Sequence, residues 1–190
     1  MTSKEELRAI IADQLRDFNG TEMFLFICKP EDYIATREII TEGLTKNGKP
    51  PGVYATFNTP YVLLKKDLEK AGVNVKKLFF LDGISRITKS AAESEECVYI
   101  RSPSSLTELS IRAMELALTK KFDFFVVDSI SAMLIHNKPE RLEKFGHYIL
   151  NKLRLLGIRG ILIATDDERS REVCNTMSQF TTRMIKLGFK

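Results

Sequence analysis

Several apolar runs in this 190-residue chain end in side chains able to handle metal ions or phosphate. The run FDFFVVDS puts Asp128 and Ser129 at its end, and GILIAT leads into Asp166-Asp167 behind Thr165. LFFLD closes on Asp82, and MFLFIC is followed by Lys29-Pro30-Glu31-Asp32-Tyr33. A carboxylate in such a place holds the shell of a divalent cation, or it accepts N–H bonds from the loop that follows. Both readings apply to Asp128, which is the candidate metal ligand. Asp166 or Asp167 equally suits the N-cap of a helix running through Val173 and Met177. The turn after Cys28 holds a cation, Lys29, but no glycine occurs until Gly43. A phosphate cradle is made of converging backbone N–H groups at a helix N-terminus. Pro30 has no N–H to give, and Glu31 and Asp32 repel anions. The turn therefore reads as a helix start with Asp32 as its cap, not as a phosphate site.

Other chemistry has little support. Cys28, Cys97 and Cys174 are far apart, without CxxC spacing, and read as buried thiols of a reducing compartment. His136, in a loop, and His147, on a helix, have no second ligand at zinc spacing. The net charge of +4 and pI near 8.9 come from scattered pairs such as Lys65-Lys66, Lys76-Lys77 and Lys120-Lys121. Scattered pairs read as solvated surface, so nucleic-acid binding ranks below other functions. The N-terminus lacks the apolar stretch and cleavage pattern of a leader, and no run reaches the length of a membrane span. The expectation is a cytoplasmic protein.

The elements around these residues are legible. Ser3 to Glu6 fits a capping box, and Leu7, Ile10, Ile11, Leu15 and Phe18 recur at helical spacing, giving an amphipathic helix within residues 1–20. Its stripe packs on its own core or on a neighbouring subunit. MFLFIC, GVYATF, LFFLD, FDFFVVDS and GILIAT are near-continuous apolar runs, the mark of strands buried on both faces. Between them lie helices opened by Thr59-Pro60, by the box Ser105 to Glu108 and by Pro139, with Gly72 and Gly157 at helix ends. CVYI and RMIKL read as short further strands, the latter at a sheet edge. Residues 83–96 break the alternation and read as a mobile loop. The whole is one domain over residues 1–190: α/β, three-layer α/β/α, with a mainly parallel sheet.

The stretch SPSSLTELSIRAMELALTKKFDFFVVDSISAMLIHNKPERLEKFGHYILNKLRLLGIRGILIATDDE resembles the KaiC and RecA family of ATPases in the order and wording of its elements. EGLTKNGKPPGVYATFNTPYVLLKKDLEKAGVNVKKLFFLDGIS resembles the same family's second and third strands and the helix between them. The likeness runs from about Met23 to Leu187 and implies a RecA-like sheet. It also implies a nucleotide site near Lys29, Asp32, Tyr33, Asp128, Ser129 and Thr165, with Asp128 matching the family's magnesium-linked aspartate. Two of the family's parts are missing. Its Lys-Ser/Thr loop would fall close to Asp32-Tyr33, and no Gly-Lys-Ser/Thr occurs in the sequence. Replacing that cation by an anion reverses an interaction of roughly 4 kcal/mol at about 4 Å. The family's acidic pair after the second strand is replaced by Phe57-Asn58, which takes no proton, so Asn58 or Thr59 is expected to cap the next helix.

These readings favour a pseudo-ATPase, a catalytically inactive domain that regulates or scaffolds through a protein partner or self-association, with no cofactor. The alternative is a nucleotide-binding protein or weak ATPase using ATP and magnesium in a rearranged site around Asp128. A DNA- or RNA-binding accessory comes third. Glu31, Asp32, Asp82, Asp128, Asp166 and Asp167 are expected to gather on one acidic rim.

Overall fold

The computed structural model describes residues 3–46, 48–91, 94–119 and 122–188. Seven strands form one sheet: β1 (Met23–Cys28), β2 (Gly52–Thr56), β3 (Leu78–Asp82), β4 (Cys97–Tyr99), β5 (Phe124–Asp128), β6 (Arg159–Thr165) and β7 (Arg183–Leu187). Their order is β4-β3-β2-β5-β6-β1-β7, and every pairing is parallel. The helices are α1 (Lys4–Arg16), α2 (Tyr33–Thr45), α3 (Tyr61–Lys70), α4 (Leu106–Thr119), α5 (Ile130–Leu134), α6 (Pro139–Leu155) and α7 (Glu168–Ser178).

The apolar runs are strands because alternate residues serve two cores. Phe24, Phe26, Tyr54, Phe80, Val126 and Ile163 face the side covered by α1, α2 and α3. Leu25, Ile27, Val53, Leu81, Val127 and Leu162 face α4, α5, α6 and α7. This is the expected three-layer sandwich, with CVYI and RMIKL as the edge strands.

α1 packs on its own chain. Leu7, Ile11, Leu15 and Phe18 are buried in the first core, and Ser3 caps the helix by accepting the Glu6 N–H at 3.1 Å. Lys4–Glu38 and Arg8–Glu42 tie α1 to α2, and a Cβ on Gly43 would meet Leu15 Cδ1 at 2.6 Å, so the glycine lets the helices close up. Gly72 and Gly157 terminate α3 and α6 as expected, with φ of +83° and +72°. The residues after them return their N–H groups to Leu68 and Leu153, the bonds that close a helix C-terminus.

Three cap assignments change. Asp32 occupies the position before α2, but its carboxylate makes no capping bond. A cap needs extended backbone, and the 3-10 turn Pro30–Asp32 holds Asp32 at φ −96°, ψ −3°. Neither Asn58 nor Thr59 caps α3. Its first N–H, from Tyr61, goes to Asp82 Oδ2 at 2.6 Å, while Thr59 Oγ1 accepts from Arg37. Glu108 accepts the Arg101 N–H at 3.1 Å, bracing the strand-to-helix loop before α4. α5, a short helix capped by Ser129 in what reads as a loop, is an element beyond those expected. In the 83–96 segment, residues 84–90 form turns pinned by Asp82, whose carboxylate takes the Ile84 and Ser85 N–H groups at 2.8 Å. Ala92 and Glu93 of that segment, and the pair Lys120-Lys121, lie outside the described residues. No helix among the described residues is long and apolar enough to cross a membrane.

Candidate functional site

The C-terminal ends of β3, β2, β5, β6 and β1 lie side by side. Thr56 is in register with both Asp82 and Asp128, Asp128 with Ile163, and Cys28 with Thr165. Parallel pairing alone therefore brings the residues singled out in the sequence to one edge. They divide into a buried layer and a cleft above it.

Asp128 is the centre of the buried layer. Tyr33, the first residue of α2, donates its phenol O–H to Asp128 Oδ1 at 2.6 Å. Tyr54, in the middle of β2, donates to Oδ2 at 2.6 Å. Two donors on two oxygens suit an ionised carboxylate, and Arg37 supplies the counter-charge one turn along α2. The Arg37 guanidinium lies 5.7 Å from the Tyr33 ring centroid, donates to Thr59 Oγ1 at 3.1 Å and approaches Asp67 at 3.6 Å. All four residues are buried, and the Asp128–Ser129 peptide bond is cis.

Burial is the largest influence on this group. It pushes the Asp128 carboxyl above the ordinary carboxylate value, against the pull of the two phenols and Arg37. Burial and the Asp128 charge together push both phenols up, so Tyr33 and Tyr54 stay protonated as donors. Burial opposes the Arg37 charge too, but its anionic surroundings, Asp128 among them, outweigh it and hold the guanidinium above its usual value. The neighbouring Cys28 thiol is pushed up to about 12 by burial, which removes it as a nucleophile.

The turn from β1 to α2 takes only residues 29–32. Pro30 has no N–H, the Asp32 N–H bonds to Lys29 O at 3.0 Å, and the Tyr33 N–H at the start of α2 bonds to Pro30 O. The proline and these two bonds reduce the donors that the turn offers a phosphate.

Above the buried layer lies a cleft of about 490 Å³, bordered by Tyr33, Asn58, Ser129, Ser131, Thr165 and Asp167, with Leu134 and Ile135 on the α5 side. Its polar groups largely serve each other. Ser131 Oγ accepts the Thr165 N–H at 2.9 Å, Thr165 Oγ1 donates to Asp167 at 2.8 Å, and Ser129 caps α5. Asp167 caps α7 in a full capping box; burial raises its pKa, but the bonds from Thr165 and Ser170 prevail and hold it low. Arg169 is the cation among the residues that border this cleft, next to Asp167 and Glu168 in sequence.

Among the expected site residues, Tyr33, Ser129 and Thr165 thus share the cleft, Asp128 lies beneath it, and Asp32 is buried with Oδ2 unpartnered. Lys29 sits in the turn and does not border the cleft. The acidic rim needs correction. Asp32, Asp82 and Asp128 are buried, Asp166 is paired with Arg171 and Asp167 is a cap, which leaves Glu31 as the exposed member. Among the described residues no group of histidine, cysteine or carboxylate side chains is placed to hold a metal ion. Tyr54 and Arg37 are the members that sequence reading missed, and the one signal for them is a tyrosine and an arginine inside otherwise apolar, buried segments.

The family model for the KaiC ATPase matches residues 34–188. The chain belongs to the KaiC ATPase family. The match begins immediately after Tyr33. Among solved structures, this KaiC-family chain resembles a KaiC-like protein from Pyrococcus horikoshii OT3, with a TM-score of 0.63 and 16% identity over 89% of this chain and 72% of that one. It also resembles an uncharacterized P. horikoshii protein in complex with an unknown peptide, with a TM-score of 0.68 and 12% identity over 94% of this chain and 82% of that one. At such identities the likeness is one of fold. Comparison with curated proteins gave no match.

Proposed function

We propose that this KaiC-family chain is a catalytically inactive, pseudo-ATPase domain that acts as a regulatory or scaffolding protein-interaction module. The observation that carries the reading is the pair of phenols on Asp128. The carboxylate that matches the family's magnesium-linked aspartate is buried, with a phenol donating to each oxygen, so it is held as part of the core and not presented to a hydrated cation. Supporting it are the short β1–α2 turn, with Pro30 lacking an N–H and the Asp32 N–H bonded within the turn, and Asn58 in place of a carboxylate base. The peptide held by the second P. horikoshii protein supports partner binding on this fold. The buried free thiols of Cys28, Cys97 and Cys174 agree with a cytoplasmic setting.

The test is magnesium-dependent ATP hydrolysis by the purified chain beside Asp128→Ala. The expected result is no turnover above the variant's background; family-like turnover lost in Asp128→Ala would overturn the reading. The cleft bordered by Tyr33, Ser129 and Thr165 favours a second reading, a nucleotide-binding protein with a rearranged site. Ligand at about 100 times its dissociation constant stabilises a fold by roughly 2.7 kcal/mol, so a Tm unchanged by millimolar Mg-ATP removes that reading. Nucleic-acid binding rests only on the basic pI, and a gel shift at low salt decides it.

A further inference from the structure

The outward faces of α4 and α6 carry apolar side chains that the fold does not use. Ile111 and Leu118 on α4 are 53% and 71% exposed, and Tyr148 and Leu155 on α6 are 45% and 80% exposed. The members of each pair are seven residues apart, about two helical turns, so each pair lies on one helix face. The two helices pack beside each other in the same core. Between them is a depression of about 280 Å³ bordered by Thr107, Ser110, Arg141, Lys144, Phe145 and Tyr148. A second depression of about 510 Å³ shares Thr107 and Arg141 and continues over the start of α4.

Beside the α6 anchors the charge is basic. Arg141, Lys144 and Lys152 follow the same side of α6 as Tyr148 and Leu155, and none enters an ion pair among the described residues. Lys152 Nζ lies 5.9 Å from the Tyr148 ring centroid. On α4, Glu115 is paired with Arg112, and Glu108, which accepts the Arg101 N–H, keeps its charge at the start of the helix, away from Lys144 and Lys152 in the groove's basic stretch.

We infer that the α4–α6 face docks an acidic amphipathic helix of a partner protein. Apolar anchors two turns apart on neighbouring helices match the i, i+3, i+4, i+7 stripe of a helix laid along them, and unpaired cations beside them complement its carboxylates. Tyr148 borders the first depression and Ile111 the second, with Leu118 and Leu155 exposed one heptad further along each helix, so the anchors are spread over two helices beside a groove, which suits a laid-in helix better than a flat lipid surface. The inference extends the reading of the chain as an interaction module. It uses no residue of the Asp128 group, so ATP assays and partner binding fail independently.

The test is fluorescence anisotropy with a dye-labelled model helix carrying leucine at i, i+3, i+4 and i+7 and glutamate elsewhere. The same helix with lysine for glutamate, and phosphatidylserine vesicles, serve as comparisons. The glutamate helix is expected to bind saturably and more weakly as salt rises. Binding should weaken at least about tenfold in Leu118→Ser/Leu155→Ser and in Arg141→Glu/Lys144→Glu. These exposed substitutions are expected to leave Tm nearly unchanged, which separates lost docking from lost folding. No saturable binding at millimolar peptide, equal affinity for the lysine helix, or binding unaffected by the substitutions would overturn the inference. So would vesicle binding that the same substitutions abolish while the helix does not bind, which would assign the face to lipid.

Discussion

Asp128 is an aspartate whose role depends on two side chains far away in sequence. Hydrogen bonds to a charged group contribute about 1.5–3 kcal/mol each, so Tyr54→Phe is expected to lower unfolding free energy by about that much in urea denaturation. Asp128→Ala leaves two buried phenols without an acceptor and is expected to cost more than Tyr54→Phe in the same measurement. The pH dependence has a defined sign. Both phenols are pushed above the ordinary tyrosine value, so the unfolded chain ionises near pH 10 while the folded chain keeps these protons. Their contribution is complete below about pH 10 and is lost as pH rises beyond it. Urea titrations on either side of that pH should show a smaller alkaline loss for Tyr54→Phe than for the wild type. Asp128, with its folded value raised, favours the fold most when protonated, and its contribution falls as pH rises from about 4 through the folded value. Asp128 was legible in the sequence because it ends an apolar run. Its partners were not, since periodicity says which face a residue takes but not which side chain from another element meets it there.

At the scale of elements, Asp82 does the work that local sequence assigned to others. Its buried carboxylate takes the first N–H of α3 and the Ile84 and Ser85 N–H groups, so one side chain starts a helix and shapes the next turn. Asp82→Ala strands these donors, each costing about 1–3 kcal/mol when buried and unmet. Hydrogen exchange should quicken at Tyr61, Ile84 and Ser85 ahead of the rest of the sheet. The strands were legible because a run buried on both faces has little choice but to be apolar throughout. The caps of α2 and α3 were misread because capping depends on backbone angles and on a neighbouring strand end, neither of which is local composition. α1 packs its stripe on α2, and Ile11→Ala is expected to cost about 2–5 kcal/mol in the same denaturation series.

At the scale of the molecule, an all-parallel sheet brings the ends of five strands to one edge, where open α/β folds bind ligands. The proposed account is that this KaiC-family chain keeps the edge and uses its groups to hold the fold together, leaving partner binding to outer faces. The three layers and the edge position of RMIKL could be read from the order of apolar runs and helix signals, while the edge position of β4 could not. Closure of the edge could be read only in part, from the absent Gly-Lys-Ser/Thr and the acidic turn, because it rests on side chains converging from β2, β5 and α2. The most direct measurement is ATP turnover and Tm in millimolar Mg-ATP, taken on wild type and Asp128→Ala together. The account predicts no magnesium-dependent turnover and no change of Tm with nucleotide. Turnover that is lost in Asp128→Ala, accompanied by a saturable rise in the wild-type Tm, would contradict it.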